Sequence, residues 1–262
     1  MVIGGGEDFH GAPALASTAA YNMLAAMRTG AGYVSSFVPK SIIEANRAVS
    51  ANVIVRPLKG RNLSERDVKD LVNAAAHFDA VAIGNGLGRS AATEKAAAKL
   101  IAAISKEKKV VVDADAIYSI SSSRAKLGRN VLLTPNEKEF GALCKEKVAR
   151  TDLNGRVAVA LKVSKLLGTN LLLKGHEAVI TDGTRVVVVK SGSSSLAVMG
   201  TGDVLSGIIA AYAAKNDDLF IAAVAGAYLH SKIGDHLHKQ MGDHIVASDV
   251  VDAIPLVLKG LE

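Results

Sequence analysis

The run Met199–Gly207 combines two glycines, one carboxylate and the start of an apolar helix. Gly200 and Gly202 allow the backbone to approach a ligand closely and to adopt conformations that a side chain would forbid. If a helix begins near Gly202, its first N–H groups have no partners within the helix, and their partial positive charge suits a phosphoryl group. Asp203 then lies where a base could take a proton from a hydroxyl nucleophile. The run predicts an active-site turn, although alone it also fits a capped helix after a flexible loop.

Further polar side chains come directly after apolar strands. Asp113 and Asp115 follow one strand. At that position they have either a catalytic role or a structural role, as a turn carboxylate or a helix cap. Lys174 ends another strand, and because a buried ammonium needs an anionic partner, we expect it to contact a phosphate. Asn136 and Glu139 have NxxE spacing after a proline. Mg²⁺ prefers oxygen ligands and keeps several waters, so Glu139 is expected to hold a magnesium ion through water.

Other common ligand motifs are absent from the sequence. There is no GxxxxGK[ST] segment, which excludes a P-loop as the nucleotide site. The glycine run Gly84–Gly88 follows an apolar strand but lacks GxGxxG spacing, so it indicates a tight turn and argues against a Rossmann dehydrogenase. The seven histidines show no zinc-ligand spacing, and metal ligation by histidine is therefore not expected.

The elements that must position these residues alternate between apolar strands and helices. The predicted strands cover 1–3, 33–38, 53–55, 80–83, 110–112, 131–133, 171–173, 178–181 and 185–190. The predicted helices cover 14–27, a segment from about 41, 64–76, 91–104, 156–167, 202–214, 220–242 and 248–258. Strands that are apolar throughout are typical of a parallel sheet with helices on both faces, and such sheets bind ligands beyond the carboxyl ends of their strands. Asp182-Gly183 indicates a hairpin.

Composition indicates one large α/β domain over residues 1–262. Hydrophobic residues make up 49% of the chain, and no linker or repeat divides it. The net charge is +6, but the basic residues are interrupted by acidic residues and form no cluster. Aromatic residues amount to 4% and tryptophan is absent. A nucleic-acid partner is therefore not expected.

Cellular context is also predicted from composition. Cys144 is the only cysteine, which excludes an internal disulfide and fits a reducing cytoplasm. The first residues lack a secretory signal pattern, and no apolar run reaches the ~20 residues that a membrane span needs. We expect a cytoplasmic protein that has no membrane partner.

A series of short motifs extends over nearly the whole chain. In order they are Gly11-Ala12-Pro13 with Leu15-Ala16, Arg28-Thr29-Gly30-Ala31-Gly32, Gly84 with Gly86-Leu87-Gly88, Asp113-Ala114-Asp115-Ala116, Thr134-Pro135 with Glu139, Lys174-Gly175, Gly200-Thr201-Gly202-Asp203-Val204-Leu205 with Gly207, and Ala247-Ser248-Asp249. In this order they resemble the ADP-dependent NAD(P)H-hydrate dehydratase family of the ribokinase-like superfamily. The resemblance implies a three-layer α/β/α sandwich with a mostly parallel central sheet.

The resemblance also implies an activity, in which the hydrated cofactors NADHX and NADPHX lose water at the expense of ADP to give NAD(P)H, AMP and phosphate. Phosphate leaves more readily than hydroxide, so phosphorylating the ring hydroxyl before elimination lowers the barrier. Asp203 is the implied base, and the N–H groups around Gly200 and Gly202 hold the phosphoryl group. Magnesium and ADP, or ATP as donor, are the implied cofactors, and a homo-oligomer is expected because the family includes tetramers.

The family's binding positions carry over to two groups of residues. The implied nucleotide-binding residues are Lys174, Gly175, His176, Glu177 and Ala178, together with Gly202. The implied substrate-binding residues are Ala12, Gly86, Gly88, Asn136 and Asp203.

The sequence departs from the family at Asn136, where histidine is usual, and at Asn85, which stands inside the usual Gly-Pro-Gly. Asn136 restores the NxxE of small-molecule kinases with the same fold. An ATP-dependent kinase for a hydroxymethylpyrimidine or thiazole alcohol is therefore the alternative function. A nucleotide-binding regulatory module without turnover is a third hypothesis, against which Asp203 argues.

Overall fold

The computed structural model describes residues 1–6, 22–52, 54–123, 126–144, 152–190 and 192–261. Within these ranges nine strands form one sheet in the order β3-β2-β1-β4-β5-β6-β7-β8-β9. The strands are β1 (Val2–Ile3), β2 (Ser35–Val38), β3 (Ile54–Pro57), β4 (Ala80–Ile83), β5 (Lys109–Val112), β6 (Val131–Leu133), β7 (Asn170–Leu173), β8 (Ala178–Thr181) and β9 (Val186–Val189). Neighbours from β3 to β7 are parallel, whereas β7, β8 and β9 pair antiparallel. The predicted hairpin at Asp182-Gly183 connects β8 to β9.

Helices cover both faces of this sheet. They are α1 (22–28), α2 (Ile43–Val49), α3 (Glu65–Ala75), α4 (Ala91–Ile104), α5 (Asp115–Ser123), α6 (Glu137–Cys144), α7 (Leu153–Leu167), α8 (Thr201–Lys215), α9 (Leu219–Met241) and α10 (Ala247–Lys259). The first part of the helix predicted over 14–27, and Ala12 with it, lies outside the described residues. The short helices α5 and α6 are additions that the sequence patterns did not predict.

Alternation along each strand divides the core into two layers. In β5, Val110 and Val112 pack into the layer beneath α3, α4, α5 and α7, whereas Val111 packs into the layer beneath α1, α2, α8 and α9. Successive side chains of a strand point to opposite faces, so a strand buried on both faces must be apolar throughout. A third apolar cluster joins α8, α9 and α10. The predicted α/β fold with a mostly parallel sheet is confirmed.

Two helix starts in the structure use the same reciprocal cap. Before α3, the Asp67 carboxylate accepts the Ser64 N–H at 3.0 Å. Before α6, Glu139 Oε2 accepts the Asn136 N–H at 2.8 Å, and Asn136 Oδ1 accepts the Glu139 N–H at 2.9 Å. The NxxE spacing is therefore also a helix-capping signal. Across the described ranges, no helix is both long and apolar enough to cross a bilayer.

Candidate active site

A cluster of charged side chains lies at the carboxyl ends of β5 and β7, next to the first turn of α8. Asp113 follows β5 and Lys174 follows β7, and Lys174 Nζ lies 2.7 Å from Asp113 Oδ1. Ser206 Oγ, from α8, donates a hydrogen bond to the second Asp113 oxygen. Parallel strands end at the same edge of the sheet, and only β6 separates β5 from β7, so residues 61 positions apart in sequence come into contact.

The Asp113–Lys174 pair is a buried ion pair in which both members keep their charge. Asp113 is 2% exposed. Burial acts to raise the pKa of Asp113, but the charge and hydrogen bonds of Lys174 and Ser206 outweigh it, so the pKa stays below its ordinary value. Burial acts to lower the pKa of Lys174, but Asp113 and Glu139 together raise it above its ordinary value. The anion that buried Lys174 requires is thus supplied within the chain, and its contact with a phosphate remains a prediction.

Asp203 lies in the first turn of α8 at the edge of this cluster. Burial, and then the charge of Asp113, raises the pKa of Asp203 to about 7. The Asn85 amide donates a hydrogen bond to Asp203 Oδ1. A base whose pKa lies near the operating pH has the balance of ionisation and proton affinity that general-base catalysis favours.

The N-terminus of α8 has the geometry of an anion site. Gly200, the residue before the helix, has φ +94°, a conformation that other residues rarely adopt. A Cβ added at Gly202 would lie 3.4 Å from Lys174 Nζ, so the missing side chain leaves the lysine room. His230 Nε2–H donates to the Thr201 carbonyl at 3.0 Å, and burial lowers the pKa of His230 to about 4. The free N–H groups of the first turn are therefore held in place by a neutral histidine.

A pocket of about 760 Å³ opens beside this helix end. Its polar lining includes Asn136, Glu137, Lys138, Lys174, Gly175, His176, Ser193, Ser194, Thr201, Gly202, His230 and Ser231, and its apolar lining includes Leu172, Ala178, Val189, Leu196, Leu205 and Ala227. An apolar compartment joined to a few converging polar groups is typical of a small-molecule site. The size and the polar end suit a nucleotide with its phosphates directed at α8.

Most of the predicted nucleotide-binding residues line this pocket, with the exception of Glu177, which is half-buried beside it. Of the predicted substrate-binding residues, Gly86 and Gly88 form the turn after β4 with φ +67° and +79°. The Gly88 N–H donates to Asp115 at 3.0 Å, so Asp115 holds this turn. Asn136, which was predicted to bind the substrate, instead lines the pocket with the predicted nucleotide-binding residues.

Magnesium has few protein ligands at this site. Within the part of the chain that the structure describes, no three His, Cys, Asp or Glu side chains are grouped to hold a metal ion. One oxygen of Glu139 is engaged in the α6 cap, which leaves Oε1 for a further contact. Magnesium often binds through one or two carboxylates, waters and substrate phosphates. The residues fit an ion that arrives with the nucleotide, and Glu139 as its water-mediated ligand remains a prediction.

Sequence reasoning missed several residues that shape the site. Helical spacing could have indicated Ser206, because it lies three positions after Asp203 on the same helix. Arg156 has no such signal, yet it donates to the Lys174 carbonyl at 3.1 Å and to Glu137 at 2.6 Å. His230 likewise lies inside an apolar helix, where nothing local marks it as a site residue.

Comparison with known proteins gives consistent matches. A sequence profile of the NAD(P)H-hydrate dehydratases matches residues 1–256. A bifunctional NAD(P)H-hydrate repair enzyme of Pyrobaculum aerophilum is 36% identical over 99% of this chain and 50% of its own length, so this chain spans about half of that relative. An ADP-dependent (S)-NAD(P)H-hydrate dehydratase of Cenarchaeum symbiosum is 34% identical over 100% of this chain and 88% of its own length.

Solved structures show the same architecture. A ribokinase-like superfamily protein of Enterococcus faecalis superposes with a TM-score of 0.82 at 24% identity, covering 99% of this chain and 86% of its own. The ADP/ATP-dependent NAD(P)H-hydrate dehydratase of Bacillus subtilis, crystallised with ATP and Mg²⁺, gives 0.77 at 24% identity over 100% of this chain and 89% of its own. These likenesses confirm the predicted ribokinase-like fold.

Proposed function

Since the chain belongs to the NAD(P)H-hydrate dehydratase family, we propose that it repairs hydrated nicotinamide cofactors by ADP-dependent dehydration. The observation that carries this proposal is the position of Asp203. It is a partly buried carboxyl group with a pKa of about 7 in the first turn of α8. The nucleotide-sized pocket is lined by Thr201 and Gly202 of the same turn, and Asn85, in the turn after β4, donates a hydrogen bond to Asp203.

The proposed reaction begins with phosphoryl transfer. Asp203 takes the proton from the ring hydroxyl, and the hydroxyl oxygen forms a bond to the terminal phosphorus of ADP. The bond from that phosphorus to the bridging oxygen breaks, and AMP leaves. The N–H groups at the start of α8 and the Lys174 ammonium stabilise the negative charge on the transferred group.

Elimination then completes the dehydration. The C–O bond of the phosphorylated ring breaks, and phosphate leaves with its electron pair. The neighbouring ring carbon loses a proton, so the new double bond restores the reduced nicotinamide. Phosphate leaves more readily than hydroxide because it is the weaker base and spreads the charge over several oxygens. The balance is one hydrated cofactor and ADP converted to NAD(P)H, AMP and phosphate.

Magnesium is proposed to accompany the nucleotide, as it does in the crystals of the Bacillus subtilis protein. A bound ion would neutralise phosphate charge. Glu139 is the residue proposed to orient one of its waters, because its carboxylate lies near Lys174 and has one oxygen outside the α6 cap.

The direct test is recovery of nicotinamide near-UV absorbance when the purified protein is mixed with NADHX and Mg²⁺. Parallel reactions contain ADP, ATP or no nucleotide. Recovery with a nucleotide and none without it supports the proposal, and the contrast between ADP and ATP identifies the donor. A folded protein that binds AMP but restores no absorbance would contradict it, and a stable phosphorylated product from a vitamin-precursor alcohol would favour the kinase alternative.

The pH dependence of the reaction is expected to follow Asp203. Only the ionised carboxylate accepts the hydroxyl proton, and the pKa of Asp203 is about 7. The kcat/KM for NADHX should therefore rise with pH on the acid side and level off, with a midpoint near that value, because this parameter reports the free enzyme. Steady-state rates between about pH 5.5 and 9 check this. A midpoint near that of an ordinary aspartate would mean that another group is the base.

Location and assembly remain predictions. We propose a cytoplasmic enzyme, because a single cysteine in the sequence fits a reducing compartment. A homo-oligomer is proposed from the family resemblance. Size-exclusion chromatography with light scattering would measure the assembly, and a monomeric mass would contradict it.

A further inference from the structure

A buried amide lies between the two carboxylates of the site. Asn85, in the turn after β4, is 2% exposed. Its Nδ2 group donates to Asp203 Oδ1 and lies 3.4 Å from Asp113 Oδ2. An amide nitrogen carries two hydrogens, so one group can serve both acceptors.

The orientation of this amide is fixed from its other end. Asn22 Nδ2 donates to Asn85 Oδ1 at 3.1 Å. A reversed amide would place Oδ1 against two carboxylate oxygens and would turn the NH₂ group of Asn85 toward that of Asn22. The backbone is fixed as well, because the Asn85 carbonyl accepts the Gly5 N–H at 2.8 Å. The donor face of Asn85 is therefore directed at Asp203 and Asp113.

We propose that Asn85 is a positioning residue for the reaction, which holds Asp203 by Oδ1 and leaves Oδ2 for the substrate hydroxyl. Among the residues that the structure describes, Asp203 Oδ2 accepts no hydrogen bond, so this oxygen is available as the base. The inference rests on the proposed function in assigning a substrate hydroxyl to Oδ2. The contacts of Asn85 stand independently of that assignment.

The charges around Asp203 explain why a neutral donor matters there. Asp113 at the end of β5 and Glu139 in α6 disfavour a negative charge on Asp203, and Lys174 after β7 favours it. Lys174 is already paired with Asp113. The hydrogen bond from Asn85 adds a stabilisation of the ionised base without adding a charge that would compete for the phosphates.

The test compares Asn85→Ala with wild type over the full pH range of the assay. Loss of the donor should move the acid midpoint of kcat/KM upward by about one pH unit. Loss of orientation should lower kcat on the alkaline plateau by about ten- to a hundredfold. The KM for ADP should remain unchanged, since Asn85 does not line the nucleotide pocket. A purely structural role would lower thermal stability and leave the midpoint in place.

Three further variants sharpen the result. Asn85→Asp keeps the shape of the side chain but cannot donate when ionised, so it should move the midpoint in the same direction. Asn46→Ala is the matched control, because Asn46 in α2 is an equally buried amide that donates to the Ile42 carbonyl and makes no hydrogen bond to Asp203 or Asp113. If Asn85→Ala fails to fold, Asn22→Ala should show a smaller shift in the same direction, since it frees the Asn85 amide to rotate.

A measurement without turnover separates this inference from the proposed function. The carboxyl ¹³C signal of Asp203, assigned by its loss in Asp203→Asn, reports the pKa directly. A higher pKa in Asn85→Ala than in wild type supports the role of Asn85 even if NADHX is not the substrate. An unchanged pKa together with an unchanged acid midpoint would overturn the inference even if wild type restores NADHX fully.

Discussion

Replacing Asp203 with asparagine is expected to lower kcat by about 10²–10⁴-fold, which is the usual contribution of a general base. The replacement keeps the size of the side chain, and its amide oxygen can still accept from Asn85. The affinity for ADP should change little, because the pocket is lined by Thr201 and Gly202 rather than by Asp203. Single-turnover absorbance recovery with NADHX measures the loss, and calorimetric titration with ADP measures the affinity.

A matched control for this variant is Asp115→Asn. Asp115 is also a partly buried carboxylate at the same rim, but it accepts the Gly88 N–H in the turn predicted to bind the hydrate. Its loss should raise the KM for NADHX more than it lowers kcat. The role assigned to Asp203 would be wrong if Asp203→Asn kept a near-wild-type rate, or if the two variants showed the same kinetic pattern.

Replacing Lys174 with methionine is expected to destabilise the protein by ~3–5 kcal/mol at neutral pH, because it leaves Asp113 as an unpaired buried charge. Asp113 is 2% exposed and Lys174 20% exposed in their side chains. The loss should shrink as the pH falls, since protonation removes the unpaired charge. Urea unfolding at several pH values measures the effect, and weaker ADP binding should accompany it.

The chain offers a close control for this variant. Lys109 has a side chain that is 19% exposed, and it is paired with Asp217, which is fully exposed. Lys109→Met should therefore change stability little, because Asp217 remains solvated. In a double-mutant cycle, adding Asp113→Asn to Lys174→Met should recover much of the lost stability. Equal effects of Lys109→Met and Lys174→Met would contradict the importance of the buried pair.

The large elements of the fold were predictable because each carries its own local signal. Continuous apolar runs mark β4, β5 and β6, whose residues are buried on both faces. The helix α5 has no comparable signal, since its sequence DAIYSISSS is short and rich in serine. Packing stabilises it instead, because Ala116, Ile117 and Ile120 lie in the core.

Site residues were predictable where one segment of sequence contains both the residue and the features that indicate its role. The turn Gly200–Asp203 has its glycines, its carboxylate and its helix in a single run of sequence. Asn85 is different, since its side-chain partners lie 28, 63 and 118 positions away. Similarly, Lys174 was expected to need an anion, but only the fold reveals that Asp113 supplies one. Contacts between strand ends depend on sheet order, which residue types do not encode.

The raised pKa of Asp203 has a consequence for the whole molecule. An unfolded aspartate gives up its proton near pH 3.8, whereas folded Asp203 keeps it until about pH 7. Between these values folded Asp203 binds a proton that the unfolded residue does not, so the contribution of Asp203 to stability falls as the pH rises through this window. That contribution is therefore largest on the acid side of the pH at which the carboxylate can act as a base. The same proton that must leave Asp203 before it can act as a base is thus taken up when the chain folds.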